Sequence, residues 1–329
     1  MSLLRLFAQR IALGLVAIWA FLSAMFALFA VTPDWTLARR VALRTWGAGL
    51  SESQIEAIRE EYLAARGLDR PMYEIYLDWM SNMFTLQWGH SFRTQEEVFP
   101  AVRHATIETG TYVVPAIVLA MLVGLLVGVY VAINRDTKHE GILRSISYLG
   151  LGFPHFWIGI VILGLAGISA GFSRLSTTIA PVDMPFVYST LVPILLVTLA
   201  LSATIVSYTR SYSMQYLSAD LTKMVRAKGG SDLDVARHVV RNAAIPLVSL
   251  MFTETLALLA VSVFVIEALF GINGLGLVIY NSIWERDIPM LLGASMVVVT
   301  FGVASNILQD VAYSTLDPRV DTGSRSSVA

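Results

Sequence analysis

Cysteine is missing from all 329 residues, which excludes disulfides and thiolate metal sites. Lysine is almost missing, with only Lys138, Lys223 and Lys228. These are followed by His139, Met224 and Gly229, so the Gly-Lys-Ser/Thr loop that cradles ATP phosphates cannot be made. Charged residues are only 14% of the chain, against roughly 25% in soluble domains. A net charge of −1 gives no electrostatic case for nucleic acid. The five histidines (His90, His104, His139, His155 and His238) are scattered, without ligand-like spacing.

What the chain has in quantity is apolar sequence, 56% of the total, gathered into long runs. Ile11–Pro33, Thr109–Asn134, Met184–Thr209 and Ile288–Gln309 carry no Asp, Glu, Lys or Arg, and Ser145–Ser173 has only His155. A bilayer core takes about 20 apolar residues per helix. The run Leu247–Phe270 contains Glu254 and Glu267. A central acid costs about 2.5–3.5 kcal/mol, while each large aliphatic returns about 0.3–0.6 kcal/mol, so this run inserts as well. The expectation is an all-α membrane protein with six transmembrane helices. Arg5 and Arg10 would also suit a signal peptide. The first run is long and lacks a small-x-small cleavage site, so it reads as a retained span.

Positive charge in short loops sets orientation. One set of loops holds Arg135, Lys138, Arg144, Lys223, Arg226, Lys228, Arg237 and Arg241; the other has Arg174 and Arg286. The first set reads as cytoplasmic, and both termini lie with it. The loop from Asp34 to about Thr106 is then external, and its eight arginines are no obstacle because long loops translocate largely regardless of charge. Ser53 and Glu56 are spaced as a capping box for a helix carrying Ile55, Ile58, Tyr62 and Ala65, with Gly67 to end it. Asp69 and Pro71 suit the start of a second helix. The loop therefore reads as a small helical cap, either packing on the membrane domain or receiving a binding protein.

Residues 220–246 are charged and broken by Gly229-Gly230 between very apolar stretches. Leu217–Lys228 reads as a short helix. Ser231 and Asp234 are spaced as a capping box for a second, Asp232–Asn242, and Pro246 opens the fifth span. Such a helix–turn–helix fits the groove of a partner, or lies on anionic lipid as a basic amphipathic loop. The intramembrane acids Glu254, Glu267 and Asp310 are candidates for the translocation path or gate. Proton carriage there would suit an ion-coupled secondary transporter acting without an ATPase. Interhelical hydrogen bonding, worth about 0.6 kcal/mol per bond, is the plainer alternative.

Arg226-Ala227-Lys228-Gly229, Arg237-His238, Arg241-Asn242-Ala243 and Pro246 resemble the cytoplasmic coupling signature of ABC importer permeases, nearest the dipeptide/oligopeptide branch. The likeness continues in Val265–Gly271 with Gly274-Leu275-Gly276, in Arg286-Asp287, and in Leu316-Asp317-Pro318-Arg319. It extends upstream to Phe153-Pro154, Phe156-Trp157, Gly67–Pro71, Tyr76, Gly89 and Ser91. Three features depart from it: one residue fewer between Gly229 and Arg237, Gly230 where a larger apolar residue is common, and Gln87 where Asp is common.

The resemblance implies a type I ABC importer permease fold. Residues 1–32 would be the cytoplasmic N-terminus and first span, and 33–106 the external cap. The transmembrane core would be 107–314, with a coupling segment at 213–246, and the cytoplasmic tail 315–329. It implies ATPase coupling through Arg226, Ala227, Lys228, Gly229, Ser231, Asp234, Arg237, His238, Arg241 and Asn242. It also implies a second related permease, two cytoplasmic ATPase subunits carrying ATP and Mg, and an external solute-binding protein, with this chain multi-pass in the cell membrane. No cofactor is expected on this chain.

Overall fold

The computed structural model of the chain describes residues 3–46, 51–167, 185–217, 220–231, 233–237, 240 and 263–316. The helices in chain order are α1 (Leu3–Val31), α2 (Trp35–Thr45), α3 (Glu52–Ala64), α4 (Met72–Phe84), α5 (Val98–Ile133), α6 (Lys138–Gly152) and α7 (His155–Leu165). They continue with α8 (Val192–Leu217, led by a π turn at Val187–Leu191), α9 (Asp220–Ala227), α10 (Val263–Phe270), α11 (Leu275–Glu285) and α12 (Ile288–Leu316). Among the described residues there is no strand, only an isolated bridge between His90 and Glu97. Hydrocarbon offers backbone groups no hydrogen-bond partner, and a helix satisfies them within itself.

Four stretches are long and apolar enough to cross a bilayer: Phe7–Thr45, Val98–Ile133, Val187–Gln215 and Ile288–Asp310. Two bent pairs bring the number to six if each is one span. α5 shows the membrane character directly. Val114, Val118, Leu122 and Leu126 recur every four residues and are 59, 51, 53 and 68% exposed. A face that apolar would be untenable in water over such a length, and in a bilayer it meets lipid.

Several boundaries differ from the sequence expectation. α5 begins at Val98, well before Thr109. The third run is two helices, with an 88° bend at Phe153-Pro154. Pro154 lacks the N–H that would continue the ladder and turns the preceding residue away from helical dihedrals. In the external loop the capping box uses Ser51 and Gln54, not Ser53 and Glu56. α3 starts at Glu52, so both predicted box residues lie inside the helix. α2 was not anticipated at all; its N-cap is Asp34, whose carboxylate accepts from the Thr36 and Leu37 N–H groups. Of the fifth run, Leu247–Phe270, only 263–270 is described.

The described residues group into two compact units. One comprises those within Met1–Leu6, Ile107–Gly276 and Ala304–Ala329; the other is Phe7–Thr106 with Leu277–Val303. The core of the first is built by Tyr112, Ala116 and Ala120 on α5, Leu163 on α7, Leu196, Val197, Leu201 and Ile205 on α8, and Val263, Ile266, Leu269 and Phe270 on α10. α5 and α8 approach closely because Gly124 and Gly128 have no side chain: a Cβ on Gly128 would lie 2.8 Å from Thr209 Cγ2 and 3.0 Å from the Val206 carbonyl oxygen. Small residues permit such crossings where no hydrophobic effect drives helices together.

Gly128→Ala is therefore expected to destabilise the protein by about 1–3 kcal/mol. Gly141→Ala, where the new methyl meets nothing within 4 Å, is the neutral control. Thermal unfolding in detergent compares the two, and equal midpoints would contradict the packing assignment.

Candidate functional site

The segment 213–246, read from the sequence as the coupling segment, starts in the last turn of α8, which ends at Leu217, and α9 follows from Asp220 to Ala227. A C-terminal lock stops α9. Gly229 adopts φ +80°, and the Gly230 N–H donates back to the Val225 carbonyl at 3.0 Å. A left-handed residue followed by this long return bond is the Schellman arrangement, which glycine makes without steric cost. Gly230 is held tightly as well, since a Cβ there would lie 2.7 Å from Val225 Cγ1 and 2.9 Å from the Val225 oxygen. A side chain at this position would not fit this backbone without a shift.

The second helix is locked at its start. Ser231 N–H and Oγ donate to Asp234 Oδ2 at 2.8 and 2.7 Å, and the Asp234 N–H donates to Ser231 Oγ at 3.3 Å. This is the reciprocal capping box read from the sequence. The two Ser231 hydrogen bonds, with a smaller contribution from the charge of Arg237, hold the Asp234 carboxyl below its ordinary value. Because the folded value is depressed, the cap's contribution is present at neutral pH and is lost as pH falls through that value. Residues 233–237 are helical; Val235 is buried, while Arg237 is exposed and Leu233 is 78% exposed. With both helix ends fixed, the turn has little slack. Ala227, Lys228, Gly229, Ser231, Asp234 and Arg237 lie together on this element, and Arg226 belongs to the backbone of α9. His238, Arg241, Asn242 and Glu254 lie outside the described residues.

Glu267 is placed at a bend. α10 and α11 meet at 87°, with Gly271 at φ +69° in the turn. Glu267 is fully buried and accepts hydrogen bonds at Oε1 from Thr109 Oγ1 at 2.6 Å and Tyr112 Oη at 3.1 Å. Thr109 Oγ1 in turn accepts from the Leu275 N–H at 2.8 Å, so α5 also holds the start of α11. Gly274 and Gly276 leave room for the carboxylate: a Cβ at Gly274 would overlap it, and one at Gly276 would stand 3.1 Å from Oε2. Glu267 thus joins α5 to the bend. Asp310 lies half-buried near the end of the apolar stretch of α12.

In the second unit, Arg286 and Asp287 form the turn between α11 and α12. Arg286 has φ +52° and is buried; its guanidinium donates to the carbonyls of Phe29, Thr32 and Pro33 and to Thr32 Oγ1 at 2.9–3.1 Å. These acceptors lie at the C-terminal end of α1, where orphan carbonyls and the helix dipole favour a cation. Arg286 Nε also lies 3.4 Å from Asp34 Oδ2. Asp287 accepts from Ser91 Oγ and from the N–H groups of Phe92 and Arg93, and caps α12 through the Met290 N–H. Asp34 further accepts from the Tyr62 hydroxyl at 3.0 Å. Burial pushes the Tyr62 phenol above its ordinary value, against the hydrogen bond to Thr36 and the charge of Arg66, which lower it. Sequence reasoning flagged Arg286, Asp287 and Ser91, but missed Asp34, Thr109 and Tyr112. Asp34 carried a signal, an acid two residues before Thr36 at the end of an apolar run.

Glu267→Ala leaves the Thr109 and Tyr112 hydroxyls without this acceptor in a dry site, at about 1–3 kcal/mol for each stranded group. Glu267→Gln keeps an acceptor and is expected to lose distinctly less. Thermal unfolding of the solubilised protein checks the order, and identical losses would contradict the hydrogen-bond assignment.

Comparison with known proteins identifies the family. The profile of the family described as "Binding-protein-dependent transport system inner membrane component" matches residues 124–322. A peptide permease protein of Brucella ovis is 26% identical over 324 residues, covering 97% of this chain and 99% of its own. The oligopeptide transport system permease protein AppB of Bacillus subtilis is 26% identical, over 81% of this chain and 86% of its own. The dipeptide transport system permease protein DppB of Lactococcus lactis is 29% identical, over 82% and 86%. With the profile running over more than half its length, the chain belongs to the binding-protein-dependent transport system inner membrane component family.

Proposed function

We propose that this chain is the permease subunit of an ATP-driven importer of peptide-class solutes. It forms one half of the translocation path with a second, related permease. Two cytoplasmic subunits bind ATP and Mg, and an external solute-binding protein delivers the cargo. The peptide class is supported by the names of the relatives from Brucella, Bacillus and Lactococcus. Separate ATPase subunits follow from a sequence that cannot build a phosphate-cradling Gly-Lys-Ser/Thr loop.

The observation that carries the coupling role is the double lock of residues 225–235: a Schellman stop at Gly229-Gly230 followed at once by the Ser231–Asp234 box. A lever has to be stiff, and a helix whose entry is pinned this way moves as a body with α9. The Lys and Arg content of this loop supports a cytoplasmic position for it and for both termini. Closure of the ATPase pair draws the docked helix along, the spans open outward to accept solute, and hydrolysis returns them. In this reading Lys228 and Arg237 present positive charge to the ATPase, and the family resemblance adds Arg226, His238, Arg241 and Asn242 to the docking residues. In this reading Glu254 and Asp310 belong to the translocation path or gate, and Glu267 holds the bend between α10 and α11.

In the complete transporter, Arg237→Glu is expected to lower peptide uptake and ATPase co-purification together by roughly tenfold or more, as like charge across a docking interface does. Arg237→Lys keeps most of both. Uptake of a labelled oligopeptide into proteoliposomes, beside a count of bound ATPase subunits, makes the test. Normal uptake by Arg237→Glu would defeat the docking role, and uptake by the chain without ATPase subunits would defeat the ATP-driven reading.

A further inference from the structure

Glu140 is a carboxylate with almost no access to water, since its side chain is only 5% exposed. It stands in the first turn of α6, whose sequence Thr137-x-x-Glu140 is that of a capping box. Only half of the box is made. The Glu140 N–H donates to Thr137 Oγ1 at 3.2 Å, but the Thr137 N–H goes to the Asn134 carbonyl at 3.3 Å. The carboxylate is turned away from its own cap to meet two arginines at Oε1: Arg144 Nη1 at 3.1 Å, one turn along α6, and Arg210 Nη2 at 3.3 Å, on α8.

The two partners do different things. Arg144 shares the helix of Glu140 and keeps the buried charge compensated whatever the neighbouring helix does. Arg210 makes the link between helices. It lies about two turns before α8 ends at Leu217, just ahead of α9. At the same level Thr209 packs against Gly128 of α5. Displacement of the coupling segment therefore reaches α8 at the turn where α5 and α6 are both fastened to it. α5 is joined there by steric fit and α6 by charge. α6 leads into the 88° bend at Phe153-Pro154, so a pull on its first turn is delivered to the whole broken helix.

We propose that Glu140 is a positioning residue for transport: through Arg210 it makes α6 follow the end of α8, so that motion of residues 220–237 is converted into movement of the spans. This rests on the reading of that segment as the ATPase-docking element.

The test uses the complete transporter in proteoliposomes and measures ATP hydrolysed per oligopeptide imported, together with ATPase co-purification. Glu140→Gln is expected to keep its ATPase subunits and to hydrolyse ATP, while the ATP used per peptide rises roughly threefold or more, the range in which coupling residues act. Arg210→Gln does the same, and Arg210→Lys, which keeps the charge, stays near the unaltered protein. An unchanged ratio in assembled Glu140→Gln overturns the inference alone. If Glu140→Gln assembles poorly, the doubly neutral Glu140→Gln/Arg210→Gln, which leaves neither of this pair charged, takes its place. Loss of assembly there too assigns Glu140 to folding only and overturns the inference. Failure of ATPase subunits to co-purify with the unaltered chain removes the docking reading, and this inference with it.

Discussion

Hydrocarbon as a solvent is the constraint on which the rest of this structure depends. It makes the backbone helical, because nothing outside can satisfy an N–H or a carbonyl. It also dictates where polar side chains can stand. Glu267 is admitted to a buried bend because two hydroxyls on α5 turn toward it. Arg286 is admitted because the end of α1 presents it with a set of carbonyls. Glu140 has two arginines. In each case the polar group joins segments far apart in sequence, so these three buried charges act as joints.

The joints fall in both compact units. In one, the Arg286-Asp287 turn ties together the end of α1, the start of α12 and the loop around Ser91. In the other, the Glu267 network fixes the bend between α10 and α11, and Glu140 fastens α6 to α8. The segment proposed to meet an ATPase is stiffened differently. Lying in water, it is pinned by glycine dihedrals and a capping box. Burial supports the inner joints, and local hydrogen bonding supports the exposed turn.

Local features were legible in the sequence and distant ones were not. The Ser231–Asp234 box was readable because it spans three residues and needs no partner. The external loop offered two overlapping boxes, Ser51 with Gln54 and Ser53 with Glu56, and spacing alone could not rank them. The choice was made by where α3 begins. Hydropathy marked Ser145–Ser173 as one run because composition carries no direction, although Phe153-Pro154 held the signal for the bend. α2 escaped notice because Arg39, Arg40 and Arg44 break its apolar pattern, and its cap, Asp34, is fixed by Tyr62 and Arg286 from elsewhere in the chain. The partners of Glu267 lie 158 and 155 residues away, beyond any spacing rule. The family resemblance reached Arg286, Asp287 and Ser91 as positions but said nothing of what they touch.

The central claim is that the turn at 225–237 seats in an ATPase on the inner side of the membrane. The absence of native cysteine makes a direct measurement simple. Leu233 is 78% exposed on this element, and Leu233→Cys would be the sole thiol of the chain. A membrane-impermeant thiol reagent should label it in inside-out vesicles, not in right-side-out ones, and bound ATPase subunits should protect it. Labelling from the outside, or labelling that the ATPase subunits leave unchanged, would contradict the account.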